Sequence, residues 1–361
     1  MNNFIKYKWA GILGLLLLAA CSKDNLTPPM DKTTVPRNMG TFIENNYDLS
    51  LLSAALKKTG LLDSLNQAGA ITLFAPDNAA FNRIGITTPE EIDRMDVDSL
   101  RFMLRYHMLR DRYFISTFPK QMDNKYTTLA GEKLYVSIDK ADQYIKSDIY
   151  TFVNGAFVMT GSKRNIALAN GVIHILSRPL QFYKMTVQDY IAKDTSFSLF
   201  VTAMKQFGLW EDLKTKDPLT VYAPVNSAFE KYGITAATIA AMKPAEYKPI
   251  VFSIYALQMR PMHIFSADGY IIGGTNVFGA NVVFVDGGYG IAPSYLHNTN
   301  NNTETAVLAI GQMYGLNWGP NPDGPSSIQY EGDELNTDHL CTNGIVHVIS
   351  DLMLNPDLMK Q

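Results

Sequence analysis

Two histidines, His174 and His347, occupy the same place in two near-identical phrases, Asn170-Gly-Val-Ile-His-Ile175 and Asn343-Gly-Ile-Val-His-Val348. An imidazole can ligate a metal or move a proton, but either task needs partner groups at fixed spacing. No second ligand type recurs at a matching distance from both. Their alternation with Ile and Val places each on one face of a strand, as a hydrogen-bonded structural group. Tyr106-His107 is a further candidate, and its counterpart is Tyr255-Ala256, without the imidazole. His107 and His263 are the side chains on which a hydrolase would have to depend. Asp217, Asp268, Asp286 and Asp333 are scattered without the loop spacing that calcium requires. Asp286-Gly-Gly-Tyr-Gly290 is glycine-rich but carries no dinucleotide fingerprint, and no Gly-x-Ser-x-Gly elbow, His-Glu-x-x-His or phosphate loop occurs. The expectation is a non-enzyme: no catalytic residue, no metal site and no cofactor.

The histidine phrases belong to a larger duplication. Ile71-Thr-Leu-Phe-Ala-Pro-Asp-Asn-Ala-Ala-Phe81 returns as Leu219-Thr-Val-Tyr-Ala-Pro-Val-Asn-Ser-Ala-Phe229. A repeat of this length means two copies of one domain, not a solenoid. Each copy opens with a helical pattern, Asp48–Leu56 and Ser196–Met204. Leu52, Ala55 and Leu56 share a face, as do Phe200, Ala203 and Met204, and Gly60 and Gly208 stand where the helix should end. In the first motif Pro76 ends a short strand. Asn78, kept as Asn226 where Asp77 becomes Val225, is the expected cap of the following helix, with Phe81 and Phe229 as core anchors. Thr88-Pro-Glu-Glu91 has the form of a capping box. Asn170-Gly171 and Asn343-Gly344 are expected to form the two-residue turns of closing hairpins. Cys341 falls opposite Leu168, an apolar slot, so it should be a buried small residue.

The copies differ in length. The first motifs lie 148 positions apart (71 to 219) and the last 173 (170 to 343), so the second copy is longer by 25 residues. The surplus is placed in 287–338, a stretch punctuated by Asn298–Asn302 and Gly319-Pro-Asn-Pro-Asp-Gly-Pro325. Such insertions are expected as surface loops, and loops carry binding. Tyr289, Tyr295, Tyr314, Trp318 and Tyr330 are the candidate ligand surface, suited to stacking on sugar rings or anchoring a protein contact. The alternative is that these rings tuck into the domain.

At the N-terminus Lys6 and Lys8 precede an apolar run, Trp9–Ala20, too short to span a bilayer comfortably. Leu18-Ala-Ala-Cys21 resembles a bacterial lipobox, which makes 1–20 a signal peptide and Cys21 the lipidated first residue. Residues 21–39 are then a polar, proline-bearing tether. Acyl chains contribute about 0.8 kcal/mol per buried methylene, so a multiply acylated Cys21 would hold the chain to a membrane. Ser22-Lys-Asp-Asn25 is similar to the acidic export signals of surface lipoproteins in Bacteroidetes-like bacteria. The formal charge of −3 becomes −5 without Lys6 and Lys8, and basic runs are absent, which argues against nucleic-acid binding.

Taken in order, the Thr-[Leu/Val]-[Phe/Tyr]-Ala-Pro-x-Asn-x-Ala-Phe box, the Tyr-His element and the Asn-Gly-[Val/Ile]-[Ile/Val]-His-[Ile/Val] box resemble the fasciclin domain. The resemblance covers residues 40–183 and 185–356. It implies an α+β fold of two tandem domains, each an antiparallel β-wedge or sandwich with packed helices. It also implies a role in adhesion or extracellular ligand binding, with Tyr106 and His107 as candidate partner contacts; Ala256 breaks that element in the second copy. The combined expectation is an outer-membrane lipoprotein at the cell surface, or facing the periplasm, that engages an extracellular protein or glycan. A glycan-capture accessory of an uptake system is the alternative.

Overall fold

The structure is a computed structural model that describes residues 37–138, 149–257, 263–268, 283–285, 289–298, 303–314, 317–330 and 337–361. Cys21 and the N-terminal segment lie outside the described residues. Asn38–Gln361 form one compact unit.

Each copy begins with helices that bury one face. In the helix Ser50–Lys58, Leu51, Leu52, Ala55 and Leu56 are buried. Its counterpart Ser198–Gln206 buries Leu199, Phe200, Ala203 and Met204. Burying one such aliphatic or aromatic side chain contributes about 1.5–3 kcal/mol. Gly60 and Gly208 both adopt φ +71°, the left-handed conformation that ends the helix without a side-chain clash. Glu91 accepts from the Thr88 amide at 3.0 Å, completing one half of the capping box.

The first copy holds two sheets. One has the order β2-β1-β8-β7, from β1 (Ile71–Pro76), β2 (Met108–Arg110), β7 (Ile166–Leu168) and β8 (Gly171–Leu176). The other runs β3-β4-β5-β6, from β3 (Asn124–Thr127), β4 (Lys133–Ile138), β5 (Thr151–Val153) and β6 (Ala156–Phe157). The second copy repeats the first sheet with β9 (Leu219–Pro224), β10 (Ala256–Leu257), β16 (His339–Cys341) and β17 (Gly344–Ile349), in the order β10-β9-β17-β16. Its other sheet runs β11-β12-β13-β14, from β11 (Val283–Val285), β12 (Tyr289–Asn298), β13 (Thr303–Tyr314) and β14 (Asn317–Pro320), with β15 (Ser327–Gln329) also on β13.

The expected architecture of antiparallel sheets with packed helices is present, with one addition per copy. The two motif strands pair in parallel, β1 with β8 and β9 with β17. A parallel pair needs a crossover, and here most of the copy intervenes between the two strands. β8, β9 and β17 are buried at every position, as their near-continuous aliphatic sequences demand.

Three local expectations are corrected. Asn78 does not cap its own helix; Asp77 does, accepting from the Ala80 amide at 2.9 Å. The Asn78 carboxamide caps the neighbouring helix instead, accepting from the Leu51 amide at 3.0 Å, and Asn226 does the same for Leu199. Second, Gly171 and Gly344 are strand residues, not turn residues, since Leu168 pairs with Gly171 and Cys341 with Gly344. Each glycine is required because a Cβ would collide with the carbonyl oxygen of Ile71 or Leu219 on the parallel neighbour. The Asn-Gly turn of left-handed residues is at Asn154 (φ 45°) and Gly155 (φ 74°), joining β5 to β6. Third, the surplus in 287–338 is laid down largely as strand. β12 and β13 pair from Tyr289↔Gln312 to Asn298↔Thr303, extending the sheet where surface loops were expected.

The second domain also continues past 356. Met359 is fully buried and the Gln361 amide donates to the Glu246 carbonyl at 2.9 Å.

Candidate functional site

The polar groups that the fold concentrates lie where the two copies meet. The seat is the Asn154-Gly155 turn. Asn154 is buried; its Oδ1 accepts from the Tyr135 amide at 2.8 Å and its Nδ2 donates to the Tyr106 hydroxyl at 2.7 Å. Its carbonyl accepts from Arg178, whose guanidinium also pairs with Asp338 Oδ2 at 2.6 Å. Asp338 belongs to the second copy and is itself buried, holding Ser266 through the backbone amide (2.7 Å) and the hydroxyl (2.6 Å). A Cβ at position 155 would strike Asp338 and Arg178, so the turn glycine is also what allows the approach.

Around this pair the junction is mixed polar and apolar. Phe265, Leu340 and Ile345 join the core formed by Phe74, Tyr106, Leu134, Val136 and Val153 of the first copy. His263 lies 3.3 Å from Asp123 Oδ1 and against the Tyr135 ring, and its amide donates to Asp123 Oδ2. Asp268 is fully buried, its Oδ2 accepting from the Phe265 amide at 2.9 Å. Burial pushes the Asp268 carboxyl up to about 7, reinforced by the charges of Asp338 and Asp123. The connecting segment is pinned as well: the Tyr183 amide donates to the Leu340 carbonyl and the Thr342 amide to Met185.

Tyr106 and His107 fall inside this arrangement, not on its surface. Both are 1% exposed. The Leu180 amide donates to His107 Nε2 at 2.8 Å, so Nδ1 carries the proton and donates to the Met103 carbonyl. Burial holds the imidazole down at about 4, neutral at ordinary pH, and pushes the Tyr106 phenol upward. The expected partner contact is therefore corrected: these groups bind the connecting segment of their own chain.

His174 and His347 form one strap in two copies. His174 Nε2 donates to the Tyr113 carbonyl at 2.8 Å and Nδ1 accepts from the Asn165 amide; His347 does the same with Ile264 and Asp338. Each ring stacks on the aromatic residue of the neighbouring motif strand, Phe74 or Tyr222. Neither imidazole is presented to a substrate.

Of the candidate ligand surface, Tyr330 is corrected. It is 7% exposed, sits in the second core and turns its ring to His347 at 5.7 Å. Tyr289 and Tyr295 lie on β12, Tyr314 on β13 and Trp318 on β14; their side chains are outside the described part of the structure. By register, positions 289, 295 and 314 alternate in step with the buried Ile291, Leu308 and Ile310, and position 318 is out of step. Cys341 is buried and its thiol pushed up to about 12 by desolvation, an inert group. Among the described residues no cluster of three or more His, Cys, Asp or Glu side chains could hold a metal ion.

The sequence carried the fasciclin signature in both halves, and comparison decides the family. The fasciclin domain profile matches residues 47–182 and 195–252, more than half of the chain. The chain belongs to the fasciclin domain family. It is 29% identical over 198 residues to transforming growth factor-beta-induced protein ig-h3 of Sus scrofa, covering 55% of this chain and 27% of that protein. It is 29% identical over 201 residues to human periostin, covering 55% of this chain and 22% of that protein. Over 147 residues it is 29% identical to the cell surface glycolipoprotein MPB83 of Mycobacterium bovis, covering 39% of this chain and 59% of the relative. The chain thus spans about a quarter of the length of the first two. A solved fasciclin domain pair from the insect cell adhesion molecule fasciclin I aligns with 86% of this chain and 97% of its own, at 18% identity and a TM-score of 0.38.

The junction residues escaped the sequence reading. Two signals could have found them. Asn154-Gly155 stands between β-prone Thr151-Phe-Val153 and Ala156-Phe-Val158, the stronger hairpin signal of the two Asn-Gly sites in the first fasciclin domain. In addition, Asp338 takes the place of Asn165 and Asp351 that of Arg178, so both members of the pair stand where the duplicated domains differ in charge.

Proposed function

We propose that this chain is a cell-envelope lipoprotein, acylated at Cys21, whose tandem fasciclin domains act outside the cell as an adhesion or ligand-binding module. The observation that carries this reading is the fasciclin match in both halves, together with the similarity to a relative named a cell surface glycolipoprotein. Leu18-Ala-Ala-Cys21 supplies the anchor in this reading, and no helix among the described residues is long and apolar enough to cross a membrane. The buried histidines and tyrosines of both domains support a structural use of these groups, so the proposed role is not catalytic. The ligand face is assigned to the β12–β14 ribbon, with position 318 as its first residue to test; the partner class is an extracellular protein or glycan.

The test has two arms. A clickable fatty acid should label the wild-type protein and not Cys21→Ser, and protease added to intact cells should remove the labelled protein. Cells displaying the protein should aggregate or bind immobilised matrix protein or glycan, with Trp318→Ala reducing retention. A mature protein without an acyl group overturns the anchor; equal retention by non-displaying cells overturns the adhesive role.

A further inference from the structure

The buried charges at the junction do not balance as they stand. Arg178 is taken by Asp338 at 2.6 Å, and His263 faces Asp123 at 3.3 Å. The third carboxyl, Asp268, is fully buried, and the charged groups acting on it are Asp338 and Asp123, both of its own sign. The Tyr222 phenol from β9 also faces Asp268 and Asp338, His347 from β17 lies 3.7 Å from Asp338, and Tyr135 from β4 faces Asp123. Ser137 lies beside Asp268 from the first domain. Among the described residues no cation is left for Asp268, and its Oδ1 is buried without a hydrogen-bond partner. An ionised, unpaired carboxylate in such a place costs several kcal/mol, and the group takes up a proton instead. His263 Nδ1 and Asp123 Oδ1 are likewise buried without a hydrogen bond between them.

We propose that the junction is a proton-loaded latch: with Asp268 protonated the two fasciclin domains are held as one rigid body, and loss of that proton on raising the pH loosens them from each other. The geometry gives both sides of the contact a share. Asp268 and His263 come from the second domain, while Ser137, Asp123 and Arg178 come from the first, so separation returns each of these groups to water.

The sign follows from linkage. Burial pushes Asp268 up to about 7, whereas in water a carboxyl releases its proton near 4. Docking is therefore favoured by the proton at low pH, loses that advantage as pH rises from about 4 to 7, and levels off above 7.

The experiment is hydrogen exchange on the full chain, corrected for the intrinsic pH dependence of exchange, at pH 6.0 and 7.5. The reporting amides cross the junction: Tyr183 to Leu340 and His263 to Asp123. One linked proton predicts that their protection falls about tenfold over this interval while the amides pairing β9 with β17 keep theirs. Asp268→Asn, which mimics the protonated acid at every pH, should abolish the fall. Junction protection that is independent of pH in the wild type, or that falls equally in Asp268→Asn, overturns the proposal. Should that variant fail to protect β9–β17, small-angle scattering of the wild type decides the matter. An increase in radius of gyration between pH 6.0 and 7.5 supports the latch, and a constant radius overturns it.

Discussion

The Leu180 amide donates to His107 Nε2 across 73 positions of sequence, at 2.8 Å and out of reach of water. The second domain solves the same problem with a different atom. There the Met353 amide, at the matching position, donates to the Tyr255 hydroxyl at 2.8 Å, and Ala256 replaces the imidazole. In the first domain the tyrosine is not free for this task, because the Tyr106 hydroxyl donates to Lys133 and accepts from Asn154. The Tyr-His pair is thus needed where the chain must leave the domain and dock a second one.

His107→Ala should accordingly leave the Leu180 amide buried and unpaired and open a cavity under the connecting segment. The expected loss is roughly 2–3 kcal/mol of unfolding free energy, measured by urea denaturation. Binding to any external partner should weaken no more than that destabilisation explains. Wild-type stability with lost partner binding would instead restore the surface role.

Asn170 and Asn343 make a stronger claim on stability than a turn residue could. Each carboxamide accepts from the amide of the first helix of its domain, Met39 or Val187, at 2.8 Å. Each also donates to backbone carbonyls in or just after a later short helix, Leu65 and Gln67 or Leu213, Lys214 and Lys216. Replacing either with Ala should cost about 2–4 kcal/mol, since several buried backbone groups lose partners together. An ordinary turn asparagine would cost under 1. Gly171→Ala should prevent the β1–β8 pairing altogether, visible as loss of the folded fraction on expression.

These residues show what was legible and what was not. The duplication, the amphipathic helices and the glycine caps follow from local rules, and Leu52, Phe200, Gly60 and Gly208 stand where those rules put them. Asn-Gly at 170 and 343 carried the right signal for the wrong cause. The asparagine is a long-range clamp and the glycine a point of close approach, and neither depends on near neighbours in sequence. The Gly and Pro residues of 287–338 point to loop by local rules, yet the β12–β14 ribbon is strand. Pro293 lies past the last β11 pair, where β12 is flanked on one side only among the described residues, a setting that tolerates proline. The Arg178–Asp338 pair spans 160 positions, and only the divergence of the two copies marks it.

That pair gives a prediction of its own. Its side chains are 8% and 0% exposed, so solvent screening is slight. Asp338→Asn keeps the shape, copies Asn165 of the first domain, and strands a buried guanidinium; it should cost roughly 3–5 kcal/mol. Arg178→Met with Asp338→Asn should recover a large part of that loss, because the uncompensated charge is gone. A double-mutant cycle measures the difference, and strictly additive losses would mean that the two residues are uncoupled.

Acid should unfold the protein through its histidines. Burial holds His107 and His174 down at about 4, and His347 is shifted the same way. In the unfolded chain each titrates near 6.5. A group whose folded value is depressed contributes stability above its unfolded value and loses it as pH falls through the folded one. His107 and His174 should each contribute on the order of 3 kcal/mol at neutral pH, surrendered between about 6.5 and 4. Because each imidazole is fixed in one tautomer by an amide donating to it, protonation also breaks a hydrogen bond. The midpoint of urea unfolding should therefore fall steeply below pH 6, and His174→Gln, less stable at pH 7, should show a shallower fall. An unfolding midpoint that is flat from pH 6.5 to 4.5 would place these rings in water and contradict the buried straps.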